Sequence, residues 1–194
     1  MINVTSMKPV FFNAGEVKDK KVTTGEALYL GSMKLYYNVL ALETELVELY
    51  RYLGSDEASQ KIVQKLYQDT AYFKKETVKI CRYFGKNRPP IDTVNEDNMK
   101  SGVKGEVEVK TMPSSIYKKI VDIRNNVKEL YGDYRGLHYG LMRAGDCSEL
   151  NDIDKKHCKI FYKNIGKVLN KIYEKGEAGT TMYKLAELEK KYSR

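Results

Sequence analysis

Apolar residues recur with a heptad spacing in four long segments of the chain. In the first segment the spacing alternates between four and three residues at Leu28, Ser32, Leu35, Val39, Leu42, Leu46, Leu49 and Leu53. The third segment repeats it without a break at Ile116, Ile120, Ile123, Val127, Leu130, Tyr134, Leu137 and Leu141. A period of 3.5 residues forms a narrow apolar stripe, here called the seam, along one side of a helix. The two seams predict long helices that pack side by side at a shallow angle.

The second and fourth segments carry seams with the same spacing but with more polar members. The second seam consists of Val63, Leu66, Thr70, Phe73, Thr77, Ile80 and Phe84. The fourth consists of Leu150, Asp154, Cys158, Phe161, Ile165, Val168 and Ile172, and a short fifth segment has Met182, Leu185 and Leu188. With the capping and breaking residues between them, these segments predict helices at about 24–53, 56–84, 115–143, 148–175 and 181–192.

Glycine, proline and hydroxyl residues mark the predicted ends of these helices. Thr23 or Thr24 is expected to cap the first helix and Ser55 the second, while Gly54 and Gly85 follow their last turns. Residues 1–22 are predicted to form an extended N-terminal segment, with a short strand at 10–12. The long connection 86–113 contains Pro89-Pro90 and an alternating run at 103–110 that is typical of a half-buried strand.

These elements predict an all-α fold, with a helical bundle over residues 23–194. Four long antiparallel helices form two helical hairpins in a left-handed bundle, with a long crossover loop and a short C-terminal helix. A single hairpin cannot bury both of its seams, whereas two packed hairpins can. A homo-oligomer that completes the seams between chains is the alternative.

The composition favours a basic intracellular protein. Over 194 residues, 34 Lys and Arg stand against 26 Asp and Glu, giving a net charge of +8, which favours polyanionic partners. No segment approaches transmembrane length and the N-terminus has no apolar signal region, so we expect no membrane association. The odd number of widely spaced cysteines (Cys81, Cys147 and Cys158) indicates free thiols in a reducing compartment, and hence a cytoplasmic location.

A series of lysines on the fourth helix is the sharpest functional signal. This lysine ridge consists of Lys155, Lys156, Lys159, Lys163, Lys167, Lys171 and Lys175, and no acidic residue occurs between Asp154 and Glu174. Each four-residue step advances about 40° around a helix, so the ridge sweeps roughly 200° and predicts that the whole non-core face is cationic. A solvated face that favours the negative end of the helix dipole is the plain alternative.

The lysine ridge leads to the preferred function, a non-catalytic protein that binds nucleic acid through phosphates without reading its bases, for example as a small subunit of a nucleoprotein assembly. Tyrosines 67, 72, 83, 162 and 173 are candidates to stack on unpaired bases. A second basic region on the second helix consists of Lys79, Arg82, Lys86 and Arg88. The alternative is a protein–protein adaptor or inhibitor that docks on an acidic partner surface.

A metal-dependent hydrolase of the helical type is the second alternative. Asp154 and His157 have the i, i+3 spacing of di-iron bundles, but the only other histidine, His138, follows Arg135 instead of an acid. Glu45 and Glu48 would be candidate magnesium ligands. The chain has no Gly-rich phosphate loop and no zinc-ligand spacing. The sequence therefore predicts no catalytic residue, no metal and no cofactor.

Overall fold

The computed structural model describes residues 22–86, 113–173 and 178–193. Over these ranges the chain forms five α-helices and no strand, which confirms the all-α helical bundle. The helices are α1 (Thr24–Tyr52), α2 (Glu57–Phe84), α3 (Pro113–Ala144), α4 (Asp152–Ile172) and α5 (Thr181–Tyr192). The candidate strands at 10–12 and 103–110, and nearly all of the extended segment and of the long connection, lie outside the described residues.

Polar side chains cap four of the helices, and two of these caps correct the sequence prediction. Thr23 caps α1 and Thr180 caps α5, each accepting a hydrogen bond from a backbone N–H of the first turn. Asp56, not Ser55, caps α2, because its carboxylate accepts from the Ser59 N–H at 3.2 Å. Asn151 caps α4 by accepting from the Asp154 N–H at 2.8 Å, so this helix begins at residue 152 instead of 148.

Two glycines end α1 and α2 for different physical reasons. Gly54 has a positive φ of 53°, the left-handed conformation that glycine adopts without steric cost. Gly85 has an ordinary φ of −99° and closes α2 by donating its N–H to the Cys81 carbonyl at 2.8 Å. A Cβ atom on Gly85 would collide with the Tyr29 ring of α1, so the close approach of that ring requires a glycine here.

The predicted seams form the core of the bundle. Every seam residue of α1 and α3 is buried, with at most 6% of its surface exposed. The seams of α2 and α4 are buried from Val63 to Ile80 and from Cys158 to Ile172, whereas Phe84 and Asp154 at their margins are half-buried. Leu185 and Leu188 of α5 join the same core. The heptad spacing is thus confirmed as the signal that determines which faces meet.

Each long helix packs against two others around the core. α1 packs on α2 and α3, and these two pack in turn on α4. Along the α1–α3 contact, Thr24 near the start of α1 bonds Glu149 just beyond α3, while Glu48 near the end of α1 pairs with Lys119 near the start of α3. The start of α1 thus meets the end of α3, and the end of α1 meets the start of α3, so these two helices run in opposite directions. The left-handed antiparallel arrangement of the whole bundle stays a prediction.

The fourth position of the bundle is shared by α4 and α5. α4 has 21 residues, against 29, 28 and 32 in α1, α2 and α3, so it is shorter than the sequence predicted. α5 packs against α2 and α3 near the ends that α4 does not reach, as the ion pairs of Glu189 with Arg124 and of Lys191 with Asp56 show. α5 therefore completes the bundle.

Candidate nucleic-acid interface

The lysine ridge lies on the side of α4 that faces away from the core. Phe161, Ile165 and Val168 bury the inner side, while five described lysines of the ridge are exposed. Four of them, here called the exposed ridge, are Lys156, Lys159, Lys163 and Lys167, and the fifth is Lys171. Lys155 is half-buried at the margin, and Lys175 lies outside the described residues.

The exposed ridge has no neutralising partner within the described part of the chain. No carboxylate there lies within 4 Å of the amino groups of its four lysines or of Lys155. Lys171, in contrast, lies 3.3 Å from the carboxylate of Asp69 on α2, and its amino group is 5.8 Å from the centre of the Tyr72 ring. Lys171 is thus held against the bundle, and the uncompensated charge is concentrated in the exposed ridge.

The prediction of a wholly cationic face is wrong in one respect. Ile153 and Ile160 lie on the outer side of α4 with 65% and 53% of their surface exposed. Residues three and four apart are neighbours on a helix surface, so Ile160 lies between Lys156 and Lys163. Because isoleucines at these positions do not pack into the core, apolar patches interrupt the cationic surface.

The charge distribution along α4 follows the helix dipole at the N-terminal end. Asp152 and Asp154 lie in the first turn, where carboxylates are favourable, and the lysines follow in the later turns. The dipole alone accounts for cations only in the last turn, whereas the exposed ridge begins in the second. Neighbouring lysines repel each other, so a polyanion that neutralises them would relieve this repulsion.

The second basic region lies on α2, which packs directly against α4. Lys79 and Arg82 are exposed, and Lys79 pairs with Glu76 at 2.6 Å. The amino group of Lys86 lies 4.1 Å from the centre of the Tyr83 ring. The same ring stacks on His157 of α4 with 4.1 Å between ring centres, so Tyr83 joins this region to the start of α4. Arg88 lies outside the described residues.

The candidate stacking tyrosines are largely engaged within the bundle. Tyr83 is occupied as described, and Tyr162 stacks on His138 with 3.9 Å between ring centres. Tyr67 and Tyr72 are half-buried, whereas Tyr173 is exposed over 52% of its surface. Four of the five rings therefore offer little free surface on which a base could stack.

Asp154 and His157 each make contacts with neighbouring protein groups. The Tyr83 hydroxyl donates to the Asp154 carboxylate at 2.6 Å, and burial together with this bond raises the pKa of Tyr83 to about 12. His157 Nδ1 lies 3.0 Å from the Ile153 carbonyl. Burial, with the nearby Asp154 and Cys147, raises the pKa of the Cys158 thiol to about 11, so this thiol is protonated at neutral pH. A nucleophilic Cys158–His157 pair is not favoured.

The structure places the two candidate magnesium ligands in separate contacts: Glu45 accepts hydrogen bonds from the Asn126 amide at 2.9 Å, and Glu48 pairs with Lys119. Two further carboxylates, Glu43 and Asp133, pair with Lys74 at 2.9 Å and with Lys34 at 3.7 Å. Burial raises the pKa of the Glu45 carboxyl, against the opposing effects of Asn126 and Lys119. Within the described ranges no group of three or more His, Cys, Asp or Glu side chains is placed to hold a metal ion.

We found no match to the chain among protein-family models, curated proteins or solved structures. Of the five helices described, none is both long and apolar enough to cross a membrane. The three cysteines are all described, and each is a free thiol in this structure. The geometry of the exposed ridge is thus the observation from which a function can be argued.

Proposed function

We propose that the protein binds nucleic acid through its phosphate backbone, with the exposed ridge as the principal contact surface and without catalysis. The observation that carries the proposal is the absence of any described carboxylate within 4 Å of the four lysines of the exposed ridge, on a face that the fold directs away from the core. Lysines on solvated helix faces usually alternate with acids, which gain pairs at i, i+4. Phosphates would supply that missing negative charge.

The dimensions of the exposed ridge suit a backbone contact. From Lys156 to Lys167 the helix rises about 16 Å at 1.5 Å per residue, and four point charges lie along that length. Lysine binds phosphate as a point charge without the fixed fork geometry of arginine, which supports binding independent of sequence. Release of the counterions of the nucleic acid would then drive association. The role as a subunit of a nucleoprotein assembly belongs to this same proposal.

The test compares binding of labelled single- and double-stranded DNA and RNA across several salt concentrations. Replacing all four lysines of the exposed ridge by glutamine should flatten the slope of log K against log salt by roughly three units, because each lost phosphate contact removes about 0.7 to 0.9. The affinity should change little with base sequence. Wild-type binding weaker than about 10⁻⁴ M at low salt would overturn the proposal, since that is the weak end for non-specific binders.

A matched variant distinguishes the contribution of the exposed ridge to binding from the effect of net charge alone. Lys61, Lys65, Lys118 and Lys128 are exposed on α2 and α3, so changing these four to glutamine removes the same total charge elsewhere. This control should keep most of the wild-type salt slope. An equal decrease of the salt slope in both variants would show that general cationic attraction, and not the exposed ridge, binds the nucleic acid.

The exposed isoleucines favour a second candidate, an adaptor or inhibitor that docks on an acidic protein surface. Ile160 between Lys156 and Lys163 would add apolar contact to charge complementarity, as protein interfaces commonly do. Such a partner would bind the wild-type chain after nuclease treatment and would be lost on Ile160→Ser. Nucleic acid binding should be almost insensitive to the same substitution, which distinguishes the two candidates.

A further inference from the structure

The outer face of α1, opposite its buried seam, is unusually apolar for a helix at the surface of a bundle. Leu30 and Tyr37 expose 48% and 59% of their surface, and Met33, Leu40 and Val47 are only half-buried. The outer positions of α2 carry Lys75, Lys79 and other polar residues, whereas those of α4 carry Lys156 and Lys163 together with the exposed Ile153 and Ile160. An apolar stripe along a helix usually faces a packing partner.

This outer face is itself a heptad seam. Steps of four and three residues connect its members, here called the outer seam: Glu26, Leu30, Met33, Tyr37, Leu40, Thr44, Val47 and Arg51. α1 therefore carries two seams on opposite sides, of which the bundle buries one. The spacing is that of helices packed in coiled-coil fashion, so the outer seam is suited to a partner helix running along α1.

The outer seam is also symmetric about its centre. The order of steps is the same from either end, as it also is in the buried seam of α1, and the midpoint of the outer seam falls between Asn38 and Val39. When a second copy of α1 is laid antiparallel about this midpoint, Tyr37 comes opposite Leu40 of the second copy and Leu30 opposite its Val47. The two ends have opposite charge, so Glu26 comes opposite Arg51 of the second copy at both ends. Two-fold dimers require such self-complementary surfaces.

We propose that the outer seam of α1 is a dimerisation surface, on which α1 of a second copy packs antiparallel about the midpoint between Asn38 and Val39. The central contact consists of Tyr37 and Leu40 from each chain, with Met33 facing Thr44 on either side. This surface is separate from the exposed ridge, because α4 packs on α2 and α3. A dimer would present two exposed ridges on one assembly.

The test is sedimentation equilibrium of the full chain over a wide concentration range. The wild-type chain should shift from the mass of one chain to that of two. Tyr37→Glu should raise the dissociation constant of the dimer by at least about 100-fold, since it places a charge in the apolar centre of the contact twice. The matched control is Tyr139→Glu on α3, where the tyrosine is similarly exposed at 53%. The control should leave the wild-type dissociation constant unchanged.

A pair of variants tests the register. Tyr37→Lys and Leu40→Glu should each remain monomeric alone, whereas an equimolar mixture should form a heterodimer, because Lys at 37 then faces Glu at 40 across the antiparallel contact. Circular dichroism checks that each variant is folded. A monomeric wild-type chain at all concentrations would overturn the proposal and leave residues 1–21 or 87–112 of the same chain as the cover of the outer seam. A dimer unaffected by Tyr37→Glu would overturn it as well.

Discussion

The hydroxyl groups of Thr77 on α2 and Tyr134 on α3 lie 2.7 Å apart in the buried centre of the bundle. The Phe73 carbonyl lies within hydrogen-bonding distance of both hydroxyls, at 2.8 Å from Thr77 and 3.3 Å from Tyr134, so the three groups form one buried network. Both residues are seam members, and both are fully buried. Burial, which outweighs the hydrogen bond to Thr77, raises the pKa of Tyr134, and the hydroxyl stays protonated. Two polar side chains are thus compatible with the core because their hydroxyl groups are hydrogen-bonded to each other.

Removing this bond should lower stability by a modest and coupled amount. Tyr134→Phe and Thr77→Val should each reduce the free energy of unfolding by about 1 to 2 kcal/mol, since a buried partner loses its hydrogen bond. The double variant should cost less than the sum of the two, because replacing both partners leaves fewer groups unsatisfied. Chemical denaturation monitored by circular dichroism measures the three values. Strict additivity would contradict the direct contact.

Asp69 is the anchor of α5, and its removal should be strongly destabilising. Its buried carboxylate accepts from Lys184 at 2.5 Å and from the Thr181 hydroxyl at 3.0 Å. Asp69→Ala should reduce the free energy of unfolding by about 3 kcal/mol, because it leaves a largely buried lysine without its partner. Thermal denaturation compares this variant with Lys190→Ala, an exposed change on α5, which should have little effect. Equal melting temperatures of the two variants would contradict the role of Asp69 in holding α5 against α2.

The inner seams should not tolerate a charge. Leu42 and Val127 expose 3% and 1% of their surface, so Leu42→Asp or Val127→Asp should each cost at least about 3 kcal/mol by burying an unpaired carboxylate. Lys128→Asp, next to Val127 but exposed, is the control and should melt near the wild type. Melting of the seam variants near the wild-type temperature would contradict the assignment of these faces to the core.

The fold was predictable from sequence where one periodic pattern decides burial. The unbroken spacing of α1 and α3 identified every buried seam residue of those helices. The early end of α4 was not predictable, because the run of lysines after Ile165 continues the helical pattern past Ile172. The completion of the bundle by α5 depends on contacts such as Lys184 with Asp69, which are 115 residues apart in the chain. No local signal encodes such a pair.

The candidate site was predictable only in outline. Spacing by four residues placed the exposed ridge away from the core, but it could not show that Lys171 faces Asp69 across the α2–α4 contact. The spacing also did not show that Ile160 is exposed between Lys156 and Lys163. The outer seam of α1 was visible in the sequence as a second four-and-three series in the same segment. Its charged ends made it resemble an ordinary solvated face, and only the exposed fractions of Leu30 and Tyr37 identify it as apolar surface without a described cover.

Asp56 should make the stability of the protein sensitive to acid. Burial raises the pKa of its carboxyl, but hydrogen bonds from Lys191, Tyr192 and Ser59 outweigh that effect and hold the pKa well below its ordinary value of 3.8. A carboxyl with a lowered pKa in the folded state stabilises that state above the unfolded pKa of about 3.9. That contribution is lost as the pH falls from there toward the folded pKa.

The variant Asp56→Asn isolates this charge, because asparagine is as good a helix cap as aspartate. Its free energy of unfolding should fall furthest below the wild-type value at neutral pH, and the difference should shrink as the pH drops below about 4. Lys191→Met removes one of the donors and should show a smaller change with pH than the wild type. Urea denaturation at pH 7, 5, 4 and 3 measures all three proteins. If the free energies of unfolding of the wild type and of Asp56→Asn differ by the same amount at every pH, the carboxylate does not have the lowered pKa that its three partners imply.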